Sequence, residues 1–318
     1  MLNQNKPPCL AIVVPCFNEE KILEKTIPTL IQVLNDLQQI KKVSENSFLY
    51  FVDDGSYDAT WTCIENANKI HSSVRGLKLS TNAGHQNALF AGLMHVINTV
   101  DCAVTIDADL QDDISVIEQM IDAYQNNNEI VYAVKHDRSK DHMIKRLTAN
   151  FFYRFMRFLG VNIVINHADF RLLGKRALTV LSKFDERNLF LRGIIPLIGF
   201  QTTCVYENIK HRHMGSSKYT YRKMLSLAWN GITSFSVFPL RVISFIGALI
   251  FIFSLIMSCY VLFAKFYGDV VMGWASTLLP IYFLGGIQLL SIGIIGEYLG
   301  KLYLEIKKRP RFIKEKEV

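Results

Sequence analysis

The chain has no G-x-G-x-x-G in its first strand–helix turn and no P-loop anywhere. The first absence counts against a dinucleotide dehydrogenase, and the second removes phosphate binding of the Walker type. Its six cysteines (9, 16, 63, 102, 204 and 259) are scattered without paired spacing. That argues against a zinc site and suits a reducing cytosol. Residues 1–8 are polar and contain no apolar signal core, so no secretory peptide is expected. Charge is missing from two long stretches, Val242 to Ala264 and Val270 to Gly296. Each exceeds the ~20 residues a helix needs to cross a bilayer core. Two soluble core helices so long and so free of charge would be unusual, so two membrane spans are expected.

The chain has 318 residues, half of them apolar, and carries a net charge of +7. Such a charge can signal nucleic acid, but the cations gather beside the apolar runs, which points to anionic lipid or phosphate and to no nucleic acid. Arg222, Lys223 and Arg241 precede the first run, and Lys301, Lys307, Lys308, Arg309 and Arg311 follow the second. By the positive-inside rule both flanks lie in the cytoplasm.

The first half alternates strand and helix. Leu10 to Val14 reads as a strand ended by Pro15, and Ile22, Leu23, Ile27, Leu30, Ile31 and Leu34 form the stripe of a helix. Strands at Phe48–Val52, Leu77–Leu79, Cys102–Ile106 and Ile130–Val134 follow, separated by helices at 58–70, one carrying Ala88 and Gly92, and one at 114–125. Strict alternation is the pattern of a parallel, doubly wound α/β sheet.

The chain is organised around Val104-Thr105-Ile106-Asp107-Ala108-Asp109-Leu110-Gln111-Asp112-Asp113. An apolar strand stops where an acidic cluster begins, and ligands of open α/β sheets bind beyond the carboxyl ends of strands. Asp107 and Asp109 stand two apart and in extended backbone share a face, where they can converge on one hard cation. Mg²⁺ takes one or two carboxylates and completes its shell with phosphates and water. An acidic loop capping the helix near Ile114 is the plainer reading, and Asp112 or Asp113 suits that cap.

Pro15 through Glu20, Asp53-Asp54-Gly55-Ser56, Asn82-x-Gly84 and Asp107-Ala108-Asp109-x-Gln111-Asp112 occur in the order and spacing that resemble family 2 glycosyltransferases of GT-A fold. Asp169-Phe170-Arg171-Leu172, Arg212-x-x-Gly215-x-Ser217-Lys218-Tyr219 and Gly296-Glu297-Tyr298-Leu299-Gly300 resemble the polyprenyl-phosphate branch of that family, which includes dolichol-phosphate mannose synthases and bactoprenol-phosphate glucosyl- and N-acetylglucosaminyltransferases. The chain departs at His167-Ala168, where many relatives have Gly before the Asp, and it lacks the Gln-x-x-Arg-Trp of processive synthases, since its only Trp residues are 61, 229 and 274. Single-sugar transfer is implied.

The resemblance implies a GT-A (Rossmann-like, mostly parallel) cytoplasmic domain over residues 1–220, with an amphipathic segment at 144–159. An interfacial helix at 221–240, a two-helix transmembrane hairpin at 241–297 and a basic cytoplasmic tail at 298–318 would follow. Both amphipathic segments mix aromatics with Arg and Lys, as helices lying in the headgroup layer do; a core-facing helix with a basic outer side reads the same way. Pro15, Phe17, Glu19 and Asp54 would hold the base and ribose of a nucleotide-sugar donor, with Ala108 and Arg138 also at the donor. Asp107, Asp109 and Gln111 would carry Mg²⁺ or Mn²⁺ against the diphosphate. Arg171, Arg212, Ser217 and Lys218 are candidates for acceptor phosphate. Asp109 and Asp169 would be catalytic, Asp169 as a base or as a positioning group.

The implied reaction is inverting transfer of one hexose, from UDP-glucose or UDP-N-acetylglucosamine, to a polyprenyl phosphate such as undecaprenyl phosphate. It would serve cell-surface glycan modification at a bacterial-type inner membrane, with both termini cytoplasmic, and leaves room for a homo-oligomer. One rival is a D-x-D phosphohydrolase, which needs Thr where the chain has Gln111. The other is a membrane scaffold or flippase component with a nucleotide-binding domain, for which two spans are few.

Overall fold

The computed structural model describes residues 6–135, 167–187, 189–207, 239–243, 245–250, 252–253, 256 and 274–318. The chain divides into two units. The first holds residues 1–154, 162–218 and the C-terminal 309–318; the second holds 155–161 and 219–308.

The first unit is built on one eight-stranded sheet. Its strands are β1 (Leu10–Cys16), β2 (Phe48–Asp53), β3 (Val74–Leu79), β4 (Cys102–Thr105), β5 (Ile130–Lys135), β6 (His167–Gly174), β7 (Thr202–Glu207) and β8 (Lys314–Glu317), in spatial order β7-β5-β6-β4-β1-β2-β3-β8. Strands β1, β2 and β4 are buried along their whole length. Helices cover both faces of such strands, so they read as unbroken apolar runs.

The sheet is mixed where a parallel one was expected. Strand β6 runs antiparallel to both β4 and β5, and β8 runs antiparallel to β3; the pairs β1–β2, β1–β4, β2–β3 and β5–β7 are parallel. Strand β1 also continues through Pro15 to Cys16 instead of stopping at Val14. Val13 faces β4, and its carbonyl accepts from the Ile106 N–H at 3.1 Å. Pro15, two residues on, faces the same way, past the end of β4, so its missing N–H is not needed there.

Helix α1 (Glu20–Gln39) buries Leu23, Ile27, Leu30, Leu34 and Leu37, a helical stripe, while Ile22 of the expected stripe is 36 % exposed. Helices α2 (Thr60–Ile70) and α3 (His85–Val96) pack on the same sheet. A Cβ at Gly92 would stand 2.5 Å from Val13 Cγ1, so only glycine lets α3 lie this close to β1. A single 3₁₀ turn (Ile114–Val116) leads into α4 (Ile117–Gln125), and α5 (Lys175–Leu181) and α6 (Leu191–Leu197) follow among the described residues.

In the second unit, the apolar helix α7 covers Pro239–Ile250, and α8 runs 34 residues from Trp274 to Lys307. Phe283–Lys307 of α8 is long and apolar enough to cross a membrane, the one such helix among the described residues. Helix α8 runs past residue 297, where the expected hairpin ends, and takes in the first ten residues of the expected tail. Most of the rest of the first expected span, the amphipathic segment 144–159 and nearly all of 221–240 lie outside the described residues.

Candidate active site

The chain runs β1, β2, β3 outward in one direction and then places β4 on the other side of β1. The crevice between β1 and β4 is therefore the topological switch point, where open α/β sheets bind ligands. Phe17–Glu19 leave β1 on one side of it, and Asp107–Gln111 leave β4 on the other.

On the β1 side, two loops are laced together. The Asn18 N–H donates to Ser56 Oγ and the Tyr57 N–H to Asn18 Oδ1, both at 2.9 Å. The Glu19 N–H donates to Thr60 Oγ1 at 2.9 Å. Phe17 is exposed and meets Tyr57 edge-on, with ring centroids 6.3 Å apart. Pro15 and Ala108 are buried. Asp54 is buried and accepts from the Ala83 N–H at 2.7 Å and the Gly84 N–H at 3.0 Å, one on each carboxylate oxygen. Burial raises its pKa against the pull of those two amides. The carboxylate expected at the ribose is thus first a staple for the 81–84 loop. Gly55, at φ +68°, allows that loop its approach, since a Cβ there would sit 2.5 Å from the Thr81 carbonyl carbon.

On the β4 side, the peptide between the two aspartates is anchored to α1 by Thr26 Oγ1, which donates to the Ala108 carbonyl at 2.7 Å. Asp109 is exposed, and its Oδ1 accepts from the N–H of Gln111, also exposed, at 3.2 Å. Asp107 Oδ1 is buried with no hydrogen-bond partner among the described residues and lies 3.6 Å from His85 Nε2. Burial pushes the Asp107 pKa up to about 6; His85 opposes the shift, and Asp169, Asp112 and Asp109 add to it. Asp113 is the helix cap, accepting from the Ser115 N–H at 3.3 Å, and its own N–H donates to Glu207 at 3.0 Å.

Antiparallel pairing brings the third carboxylate in. Arg171 on β6 is in register with Thr105 on β4, so Asp169, two residues earlier, comes beside the end of β4. Thr105 Oγ1 fixes this by donating to the Asp169 carbonyl. The Asp169 side chain is buried among donors. Arg171 Nη2 bonds Oδ1; Arg192 donates from Nε to Oδ1 at 3.2 Å and from Nη2 to Oδ2 at 3.1 Å; Gln86 Nε2 lies 3.4 Å from Oδ2 and His85 Nε2 3.5 Å. Burial alone would raise the Asp169 pKa. The His85 contact and the Arg171 and Arg192 charges outweigh it and hold Asp169 well below the usual carboxylate range. Asp169 and Asp107 in turn raise the His85 pKa against its burial.

Arg171 is 1 % exposed and spends its guanidinium on Asp169, so the acceptor role expected of it does not fit its burial. The cation that reaches the same carboxylate from a partly open position is Arg192 on α6. Arg192, His85 and Gln86 were not among the expected site residues. Arg138, Arg212, Ser217 and Lys218 lie outside the described residues. Among the described residues no three His, Cys, Asp or Glu side chains are arranged to hold a metal ion by themselves. Two carboxylates with an orphaned oxygen do fit a cation that substrate phosphates complete.

Three carboxylates, two arginines and a histidine gather at the switch point of a mixed α/β sheet, where such folds carry their active sites. Residues 11–181 match the model for glycosyl transferase family 2, and the chain belongs to that family. It is similar to YkoT, an uncharacterized glycosyltransferase of Bacillus subtilis (strain 168), at 48% identity over 96% of this chain and 90% of the relative. It is also similar to the bactoprenol glucosyl transferase of Shigella phage SfII, at 38% identity over 96% of this chain and 97% of the relative. Among solved structures, the mannosyltransferase PcManGT from Pyrobaculum calidifontis, in complex with GDP-Man and Mn²⁺, covers 95% of this chain and 86% of its own at 15% identity and TM-score 0.42.

Proposed function

We propose that this glycosyltransferase moves one hexose, glucose or N-acetylglucosamine, from a UDP-sugar to a polyprenyl phosphate with inversion at the anomeric carbon. The observation that carries the reading is Asp169: buried, multiply bonded and held ionised. A sugar-hydroxyl acceptor needs a base, and a carboxylate with a depressed pKa is a weak one. A phosphate monoester, with its second pKa near ~6, is already mostly dianionic at neutral pH and attacks without giving up a proton. A phosphate oxygen forms its bond to the anomeric carbon as the bond to the nucleoside diphosphate breaks, and no proton is transferred. The bactoprenol names of the relatives point to the same acceptor.

Asp107 and Asp109 would hold Mg²⁺ or Mn²⁺, which when bound supplies Lewis-acid neutralisation of the departing diphosphate. Arg192 places positive charge beside Asp169, and His85, its pKa raised by Asp169 and Asp107, would add to it when protonated, which would limit repulsion of an incoming phosphate. The laced loops at Phe17–Glu19 and Ser56–Thr60 would receive the nucleoside.

The fold also supports a membrane hairpin. Strand β8 pairs with β3, so the C-terminus ends in the same unit as the N-terminal strands. A soluble sheet cannot be assembled across a bilayer, so the number of crossings between β7 and β8 is even. If α8 crosses, a second segment crosses too, and the uncharged run from Val242 to Ala264 is long enough. With the positive flanks, the sheet and both termini would then lie in the cytoplasm.

The test is incubation of membranes carrying the protein with a panel of labelled nucleotide sugars, followed by lipid extraction. Label from UDP-glucose or UDP-N-acetylglucosamine in the lipid fraction, with one UDP released per sugar, is expected. Transfer to a water-soluble acceptor, with no lipid-borne label from any donor, would overturn the acceptor.

A further inference from the structure

The last eight residues are locked onto the elements that carry the site. The β8 ladder runs along β3, and the Gly76 and Val318 backbones exchange hydrogen bonds at 2.8 and 2.9 Å. Tyr50 Oη donates to Glu317 Oε1 at 3.0 Å. The Ser80 N–H, where β3 runs into the 81–84 loop, donates to the Ile313 carbonyl at 2.9 Å. Phe312 lies 6.1 Å from the His95 ring near the end of α3. Arg311 holds its guanidinium 4.4 Å from the centroid of Phe90, mid-way along α3, and its Nη2 donates to the Phe184 carbonyl in the segment leading to α6.

Those elements are the ones the site depends on. Helix α3 begins with His85, and α6 carries Arg192. A crosslink already joins them, since the Leu191 N–H donates to Gln86 Oε1 at 3.1 Å. We propose that Arg311 is a positioning residue, tying α3 to the segment before α6 so that His85 and Arg192 stay on Asp169. It touches none of the reacting groups and acts through Phe90 and Phe184. Sites of this kind lose rate when a support lets a side chain drift, with about 10²-fold lost for a misplacement of ~1 Å. Three residues of sequence lie between Lys307, the end of α8, and Arg311, so the strap follows that helix directly along the chain. The inference rests on the transferase reading only for its kinetic arm.

The experiment uses the full chain in detergent or native membranes, comparing wild type, Arg311→Ala, Arg311→Lys and Glu315→Ala. Glu315 pairs with Lys78 at 3.1 Å on the outer edge and touches neither α3 nor Phe184. Backbone amide exchange is followed at Ala83 and Gly84, which bond Asp54, and at Leu191, with β1 and β2 as the reference. Arg311→Ala is expected to speed exchange at all three amides by about 10-fold with the reference unchanged, a local opening and not a global one. In the UDP-release assay kcat falls by about 10-fold while the donor KM moves less. Arg311→Lys, which keeps a cation over Phe90, recovers part of both effects, and Glu315→Ala matches wild type. Unchanged exchange at the three amides, or acceleration shared equally by β1 and β2, overturns the proposal. If no donor supports transfer even in wild type, the acceptor and donor reading fails, and the exchange result decides the strap by itself.

Discussion

Arg192 meets Asp169 side-on, with Nε 3.2 Å from Oδ1 and Nη2 3.1 Å from Oδ2. This is the two-pronged geometry in which guanidinium and carboxylate match best. Arg171 holds Oδ1 from the buried side, so Asp169 is gripped between one enclosed cation and one that is a third exposed. A carboxylate held in this way is suited to orienting neighbours and is poorly suited to collecting a proton.

Removing the exposed cation tests that geometry. Hydrogen bonds to charged groups are worth about 1.5–3 kcal/mol each, so Arg192→Ala is expected to lower kcat/KM on the order of 10²-fold. Arg192→Lys should restore only a small part, because an ammonium gives a point charge and no fork. Steady-state UDP release measures both. Wild-type rates in Arg192→Ala would return this arginine to the status of a fold-stabilising cation.

Asp107 makes a prediction about pH. Its pKa is raised to about 6, against about 3.9 for an unfolded aspartate. Between those values the native state binds more protons than the unfolded state, so this group adds stability as pH falls through 6 towards 4 and opposes folding above 6. Asp107→Asn should therefore raise the melting temperature of EDTA-treated protein more at pH 7.5 than at pH 4.5. Added Mg²⁺ should stabilise wild type at pH 7.5, lose that effect near pH 5, and do little for the variant. Equal Mg²⁺ responses in wild type and variant would remove Asp107 from the metal.

Much of this fold is legible in the sequence because burial on both faces leaves apolar runs that no helix stripe imitates. Strands β1, β2 and β4 and the aspartates beyond β4 are found that way. The antiparallel insertion of β6 is not, since strand direction leaves no mark on local periodicity. The partners of Asp169 are hidden for a related reason: Arg192 lies 23 residues away in sequence and Gln86 lies 83, and no local pattern records that their helices both reach this carboxylate. His85 stood in view within the Asn82-to-Asn87 stretch but carried no spacing signal. Strand β8 is the plainest miss. Lys-Glu-Lys-Glu has low strand propensity and reads as a solvated tail, yet the open edge of β3 supplies the hydrogen bonds that make it a strand.

The topology can be tested by labelling. A cysteine placed at Gly268, between the two uncharged runs, is expected to react with an impermeant reagent from outside the membrane. One at Ser217 should react only after the membrane is opened. Both positions lie outside the described residues, and the expectation comes from the charge bias and from the even number of crossings that β8 requires. Labelling of both cysteines from one side would remove the hairpin.

Asp169 carries the last prediction, and it separates two mechanisms. As a general base, Asp169 would contribute typically 10²–10⁴-fold and would leave an acid-side pKa in the rate profile. Its pKa is instead held well below the usual range by His85, Arg171 and Arg192 acting against burial. It therefore stays ionised throughout the working range and adds no inflection there. Asp169→Asn keeps the shape but loses the charge that holds Arg192 and His85, so turnover should drop with no change in the form of the profile between about pH 6.5 and 8.5. Asp109→Asn, missing a carboxylate at the diphosphate, should be silent at every pH, and excess EDTA should silence wild type reversibly. The measurement is a pH–rate profile for wild type and both variants at saturating donor. An acid-side pKa present in wild type and absent in Asp169→Asn would make Asp169 a base, and the acceptor would then have to carry a proton, as a sugar hydroxyl does and a phosphate dianion does not.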